Sequence, residues 1–154
     1  KIMLALAFIG IAGLSSSFAN APVDVNKKAA AAFHADFHMA KNVNWMEAPK
    51  YVKAQFNLDN KVMFAYYNSD GNFICLIRNI LTTELQSYIR NNIKKNYSSY
   101  WVSELFQLST DQGTSYYIKL ENGDGSMVLC SENEGEWRPY KNLRDPSAKQ
   151  TVAL

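Results

Sequence analysis

The chain has 154 residues, of which 47% are hydrophobic, 13% aromatic and 19% charged. That suits one compact domain and excludes a disordered polyelectrolyte or a long coiled coil. The formal charge is only +2, and no lysine or arginine cluster is dense enough to follow a phosphate backbone, so nucleic acid is not an expected partner.

Lys1 opens the chain with a positive charge, and residues 2–14 form an apolar run. Ser17 and Ala19 are the small residues that signal peptidase accepts, so residues 1–19 read as a signal peptide cut before Asn20. The run is shorter than the ~20 apolar residues of a membrane-spanning helix, and no cysteine follows it for lipid attachment. The expectation is an exported protein, periplasmic or secreted, with no membrane span in its mature chain. Residues 20–154 would then form a single domain.

Asp24 or Asn26 is placed to cap a first helix. Residues 27–41 are rich in alanine, the best helix former, and Ala30, Phe33, Phe37 and Ala40 form its apolar stripe. Asn42-Val43-Asn44 ends that helix, Trp45 begins a change of direction, and Pro49 marks a turn. Residues 51–58 alternate, with Val52, Ala54, Phe56 and Leu58 on one side and Tyr51, Lys53, Gln55 and Asn57 on the other, which is a half-buried strand. Asp59-Asn60 turns the chain, residues 62–67 make a second strand, Asp70-Gly71 marks a hairpin, and residues 73–78 make a third.

Thr83 and Gln86 fit a capping box for a second helix whose stripe is Leu85, Ile89 and Ile93. Lys94 and Lys95 suit the negative end of its dipole. Strands follow at 101–108, 115–121, 127–131 and 136–140, separated by polar or glycine turns, and residues after Arg144 read as a tail.

The second half repeats the pattern of the first. Phe33, Phe37 and Trp45 have the spacing of Ile89, Ile93 and Trp101, fifty-six residues later. Val52, Ala54 and Phe56 match Tyr116, Ile118 and Leu120 at sixty-four, which implies eight extra residues between tryptophan and strand in the second copy. The expected fold is α+β: two tandem α-β-β-β repeats, about 25–79 and 81–143, forming one antiparallel sheet with both helices on one face.

No catalytic, metal or cofactor site is expected. His34 and His38 could share a helix face, but a third ligand is not evident. Asp70-Gly71-Asn72 and Asn122-Gly123-Asp124-Gly125 lack the full ligand series of a calcium loop and suit hairpin turns. Cys75 and Cys130 have no flanking base for nucleophilic chemistry. They can pair in an oxidising compartment or serve as buried small hydrophobes, and the sequence leaves that open.

The aromatic residues exceed what a core requires. Tyr51 and Lys53 share the outward side of one strand, Tyr117 and Lys119 that of its counterpart, and Tyr66 or Tyr67 can join from a neighbour. These six are the candidate protein-binding residues. The alternative function is carriage of a small apolar ligand between helices and sheet, which needs an internal cavity.

An exported chain with a helix, Asn-Val-Asn-Trp at 42–45, the strand at 51–56 and the Asp-Gly hairpin at 70–71, repeated once, resembles the PepSY-like, β-lactamase-inhibitor-like (BLIP-like) proteins typical of the Bacteroidota. The resemblance spans residues 25–143. It implies a sheet with helices on one side and the other face free to bind, in a family with no established enzyme activity; the inhibitor name describes the fold, which does not fix function. The expected function is a non-enzymatic binding module that presents this face to a periplasmic or secreted protein partner, with inhibitor-like action as one form of it.

Overall fold

The computed structural model describes residues 26–132 and 135–144, the last four by backbone alone. The expected signal peptide, the leader with Asp24, and the tail after Arg144 lie outside the described residues.

Helix α1 (Lys27–Asp36) begins at Asn26, whose side-chain oxygen accepts the N–H groups of Lys28 and Ala29 at 3.0 and 3.1 Å. It is followed by β1 (Lys41–Ala48), β2 (Tyr51–Leu58), β3 (Lys61–Tyr67) and β4 (Phe73–Asn79). A 3-10 turn (Thr82–Glu84) leads into α2 (Ser87–Asn96), and β5 (Trp101–Thr110), β6 (Gly113–Asn122), β7 (Gly125–Glu132) and β8 (Arg138–Arg144) complete the chain. The eight strands form one sheet in sequential order, with antiparallel neighbours throughout. The expected α+β architecture is therefore present, with four strands after each helix.

Two cores fill the helix side of the sheet. Under α1, Ala29 and Phe33 pack with Val52, Ala54, Phe56, Met63, Ala65 and Tyr67. Phe33 has no exposed surface and lies 5.0 Å from Phe56, 5.1 Å from Trp45 and 5.3 Å from Phe37, ring centre to ring centre. Under α2, Ile89 and Ile93 pack with Leu105, Ile118, Leu120, Leu129 and Trp137, and the indole N–H of Trp137 donates to the Ile89 carbonyl at 3.1 Å.

The first helix stops five residues earlier than its composition suggests. Phe37 leaves helical geometry while its N–H still bonds to the Phe33 carbonyl at 2.8 Å. Asn42 does not end a helix. It adopts a left-handed φ of 54° at a bulge, where the β1–β2 pairing slips between Lys41 and Asn44. Strand β1 was hidden because it is an edge strand whose residues are mostly exposed, so it shows no clean alternation. The other edge, β8, contains Pro139.

The halves correspond at sixty residues across the helices, not fifty-six. Helix α1 starts at Lys27 and α2 at Ser87, and the burial classes of residues 27–40 recur one by one in 87–100 although no residue is identical. Ala29, Phe33 and Phe37 thus match Ile89, Ile93 and Tyr97, one helical turn from the expected pairing. Strands β2 and β6 do correspond at sixty-four. The difference is four residues rather than eight: β5 and β6 have ten residues each where β1 and β2 have eight.

Turn chemistry fixes the hairpins. Asp59 and Asn60 both take left-handed φ, 50° and 61°, as a two-residue turn joining twisted strands requires. Gly71 has φ +84°, and a Cβ there would lie 2.8 Å from the Lys28 backbone, so the β3–β4 loop can approach α1 only with glycine. Asn26 ties the same loop to the helix by donating to the Ser69 carbonyl at 2.9 Å.

The Thr83–Gln86 capping box does not form: Thr83 lies in the 3-10 turn, and Gln86 makes no side-chain cap. Glu84 does the anchoring. One of its oxygens accepts from Lys61 Nζ at 2.6 Å and Arg78 at 3.2 Å, and the other from the Leu81 N–H at 2.9 Å. The Lys61 hydrogen bond, with the Leu81 N–H and the two cations, pulls the Glu84 carboxyl from 4.5 down to about 2.

Two predictions follow from packing and charge. Phe33→Ala should lower unfolding free energy by about 3–5 kcal/mol in a denaturant titration, because it removes the centre of the α1 core. A depressed carboxylate contributes stability that is present above its unfolded pKa and lost as pH falls through the folded one. Acid titration of stability should therefore show a Glu84-dependent loss between 4.5 and about 2. Glu84→Gln should flatten it, by a small amount because solvent screens the cluster.

Candidate functional site

Directly paired residues on antiparallel strands project to the same side of the sheet. Val52 pairs with Tyr67, Ala54 with Ala65 and Phe56 with Met63, which fixes the helix side. Lys53 pairs with Tyr66 and Gln55 with Phe64, so the intervening residues face away from the helices. The open face continues through Tyr66–Cys75, Phe64–Ile77, Ile77–Leu108, Phe106–Tyr117 and Glu104–Lys119.

Of the six residues singled out in the sequence, Tyr51, Lys53, Tyr66, Tyr117 and Lys119 share this open face. Tyr67 does not. It has no exposed surface and belongs to the α1 core, where its hydroxyl donates to Asp36 at 2.9 Å. Burial, with the Asp36 hydrogen bond and charge, pushes its phenol far above the ordinary value. The reason is the two-residue period of β3: adjacent tyrosines must point to opposite sides.

The open face carries two aromatic groups. In the first, Tyr51 and Tyr66 are 5.4 Å apart, and Lys53 Nζ stands 4.6 Å from the Phe64 ring centre and 6.0 Å from that of Tyr66. Burial, with Cys75 and Tyr51 nearby, pushes the Tyr66 phenol up to about 12. In the second, Phe106 stacks on Tyr117 at 5.1 Å with planes 12° apart, and Tyr140 meets Tyr117 edge-on at 5.2 Å. Burial also raises the Tyr117 phenol strongly, reinforced by Cys130. Between the groups lie Cys75, Ile77 and Leu108, buried with Phe106 in a cluster to which neither α1 nor α2 contributes.

Phe64, Phe106 and Tyr140 were not singled out in the sequence. Phe64 was legible from Tyr66 by stepping back two positions. Phe106 and Tyr140 join the face only through the β5–β6 ladder and the entry of β8. The two Tyr–Lys pairs share a face but not equivalent places, since at sixty-four residues Lys53 corresponds to Tyr117 and Gln55 to Lys119.

Lys119 is held by carboxylates, Glu121 at 2.6 Å and Glu104 at 3.8 Å. The Glu121 hydrogen bond is the main cause of its raised pKa, and Glu121 is lowered in return.

His34 lies within α1 and His38 beyond its end, so the two no longer share a helix face. Among the described residues no group of three His, Cys, Asp or Glu side chains is gathered. Asn68 accepts the N–H groups of Asp70 and Asn72, and Asn122 those of Asp124 and Gly125, so both aspartate-glycine loops are closed as turns. Cys75 and Cys130 are free and buried on β4 and β7, with two strands between them. At about 4.8 Å per strand that separation is far too wide for a disulfide. Burial pushes the Cys75 thiol up to about 11 and raises that of Cys130. An open notch beside the β1–β2 turn is lined by Glu47, Ala48, Pro49, Tyr51, Val52 and Ser69.

Among the described residues, two helices lie on one side of an eight-stranded antiparallel sheet and none on the other, an α+β architecture that matches BLIP-like proteins. Solved structures share it. A DUF2874 family protein from Bacteroides ovatus superposes with a TM-score of 0.67 at 17% identity, covering 80% of this chain and 96% of its own. A protein from Bacteroides eggerthii, assigned provisionally to the periplasm, gives 0.68 at 12% identity over 81% and 92%. A BLIP-like protein from Bacteroides fragilis gives 0.62 at 14% identity over 77% and 88%. At such identities the likeness is one of fold. No family model and no curated protein matches the chain in sequence. Among the described residues no helix is long and apolar enough to cross a membrane.

Buried, protonated thiols resist alkylation. In native protein, with no reductant added, Cys75 and Cys130 should remain unlabelled by iodoacetamide. Denaturant alone should expose both, read by intact mass. Failure to label after denaturation, reversed by a reductant, would mean the two are bonded.

Proposed function

We propose that this chain is a single domain of two repeats, about 25–79 and 81–143, that works outside the cytoplasm as a non-enzymatic binding module. Its open sheet face is presented to a periplasmic or secreted protein partner, in an inhibitor-like manner. The observation that carries this reading is the aromatic surface of the open face. Tyr51, Tyr66 and Phe64 around Lys53, and Phe106, Tyr117 and Tyr140 beyond, stand on the side opposite α1 and α2, which among the described residues no helix covers. Large, stiff rings with polar tips lose little entropy on binding and bury much area, which is what protein interfaces use. The periplasmic assignment of one structural neighbour supports the location.

Carriage of a small apolar ligand between helix and sheet is less well supported, because Phe33, Phe37, Trp45 and Phe56 fill the space under α1 in mutual ring contact.

Affinity capture from the extracytoplasmic fraction of the source cell, read by mass spectrometry, tests the proposal. Wild type and Tyr67→Phe, which leaves the open face untouched, should enrich the same protein. Tyr51→Ala with Tyr117→Ala should weaken capture at least about tenfold while retaining the wild-type melting transition. Undiminished capture by the double variant would overturn the open face as the binding surface.

A further inference from the structure

Among the described residues, several charged groups around the sheet are paired within the chain. Lys61 and Arg78 share Glu84, Lys119 has Glu104 and Glu121, and Lys28 is 3.8 Å from Asp70. Lys53 is half-buried, and among the described residues no carboxylate pairs with it. Its cross-strand neighbours are Met46 and Tyr66, and its neighbours along β2 on the same side are Tyr51 and Gln55. Burial alone holds its ammonium below the usual lysine value, with no acidic group acting against that. The Phe64 and Tyr66 rings beneath it offset only part of the lost hydration.

Resting on the open face as the binding surface, we propose that Lys53 is the receptor for a carboxylate of the protein partner. The partner group is an aspartate or glutamate side chain flanked by apolar residues in the same segment. A single ammonium is the complement of one carboxylate. A phosphate would call for several converging donors such as arginine or a helix N-terminus, and the β1–β3 part of this face offers neither. The surroundings match an apolar flank. Met46, Tyr51 and Val62 are 43%, 37% and 45% exposed on the same side. Asn44 and Gln55, paired across β1 and β2, bring amide groups to the border of this area. Lys119 cannot play this part, because two carboxylates of its own chain already occupy it.

The probe is a random linear peptide library displayed on phage, selected against the protein and read by sequencing. Wild type should enrich peptides with Asp or Glu next to an apolar residue. Lys53→Met keeps the stem over the rings and should lose the acidic preference, weakening the selected peptides by about tenfold or more when acid and amide forms are compared. Lys53→Arg should restore the preference, and Lys119→Met should leave it intact. Enriched peptides without acids, dependent on Tyr51 and Tyr66, would overturn the carboxylate while sparing the binding face. Peptides that ignore Lys53, Tyr51 and Tyr66 alike, or no enrichment, would overturn both. The melting transition of each variant reports that it is folded.

Discussion

The β4–β5 ladder is the joint on which the molecule depends. It pairs Leu76 with Ser109, Ile77 with Leu108, Arg78 with Gln107 and Asn79 with Phe106, the last strand of one half against the first of the other. On the open side it is sealed by Cys75, Ile77, Phe106 and Leu108. On the helix side Arg78 Nε donates to Gln107 at 2.9 Å, and the same arginine reaches Glu84 in the crossover. Because this ladder holds, two four-stranded units become one sheet, and two aromatic groups from different halves stand on a common face. Short of it, each half would leave an edge strand and an apolar strip in water.

The halves solve one packing problem with different chemistry. Each needs a helix anchored at its start and tied to the sheet. The first uses the Asn26 cap, an aromatic core around Phe33 and the Tyr67–Asp36 hydrogen bond. The second has no side-chain cap on Gln86, an isoleucine stripe, and the Trp137 indole bonded to a helix carbonyl. Packing constrains size and burial at each place more tightly than residue identity, which is why the burial pattern recurs where the letters do not.

What was legible in the sequence was local. Strands β2 and β6 announce themselves by alternation, β3 and β4 as apolar, aromatic-rich runs between turns, and the Asp59-Asn60 and Asp70-Gly71 turns by residues that tolerate left-handed backbone. Strand β1 was not legible, since an edge strand with little burial carries no period. The end of α1 was overrun because alanine-rich composition favours helix regardless of where tertiary contacts stop it. The open face was half legible: alternation placed Tyr51, Lys53, Tyr117 and Lys119, but choosing Tyr66 over Tyr67 required the phase of β3 against its neighbours. The contrast between Lys53 and Lys119 was half legible: Glu121 stands two positions from Lys119 on the same side of β6, whereas the Glu104 contact depends on the β5–β6 register.

The two rims of the sheet are also unlike its interior. Asn42 twists the start of β1 into a bulge, and Pro139 deprives β8 of a backbone donor. Neither rim offers an unbroken row of hydrogen-bonding groups, so a further strand from another molecule meets a poor template at both ends. A sheet assembled entirely from nearest neighbours could in principle keep growing by accretion. This one carries its own terminators, which favours discrete particles over fibres at high local concentration.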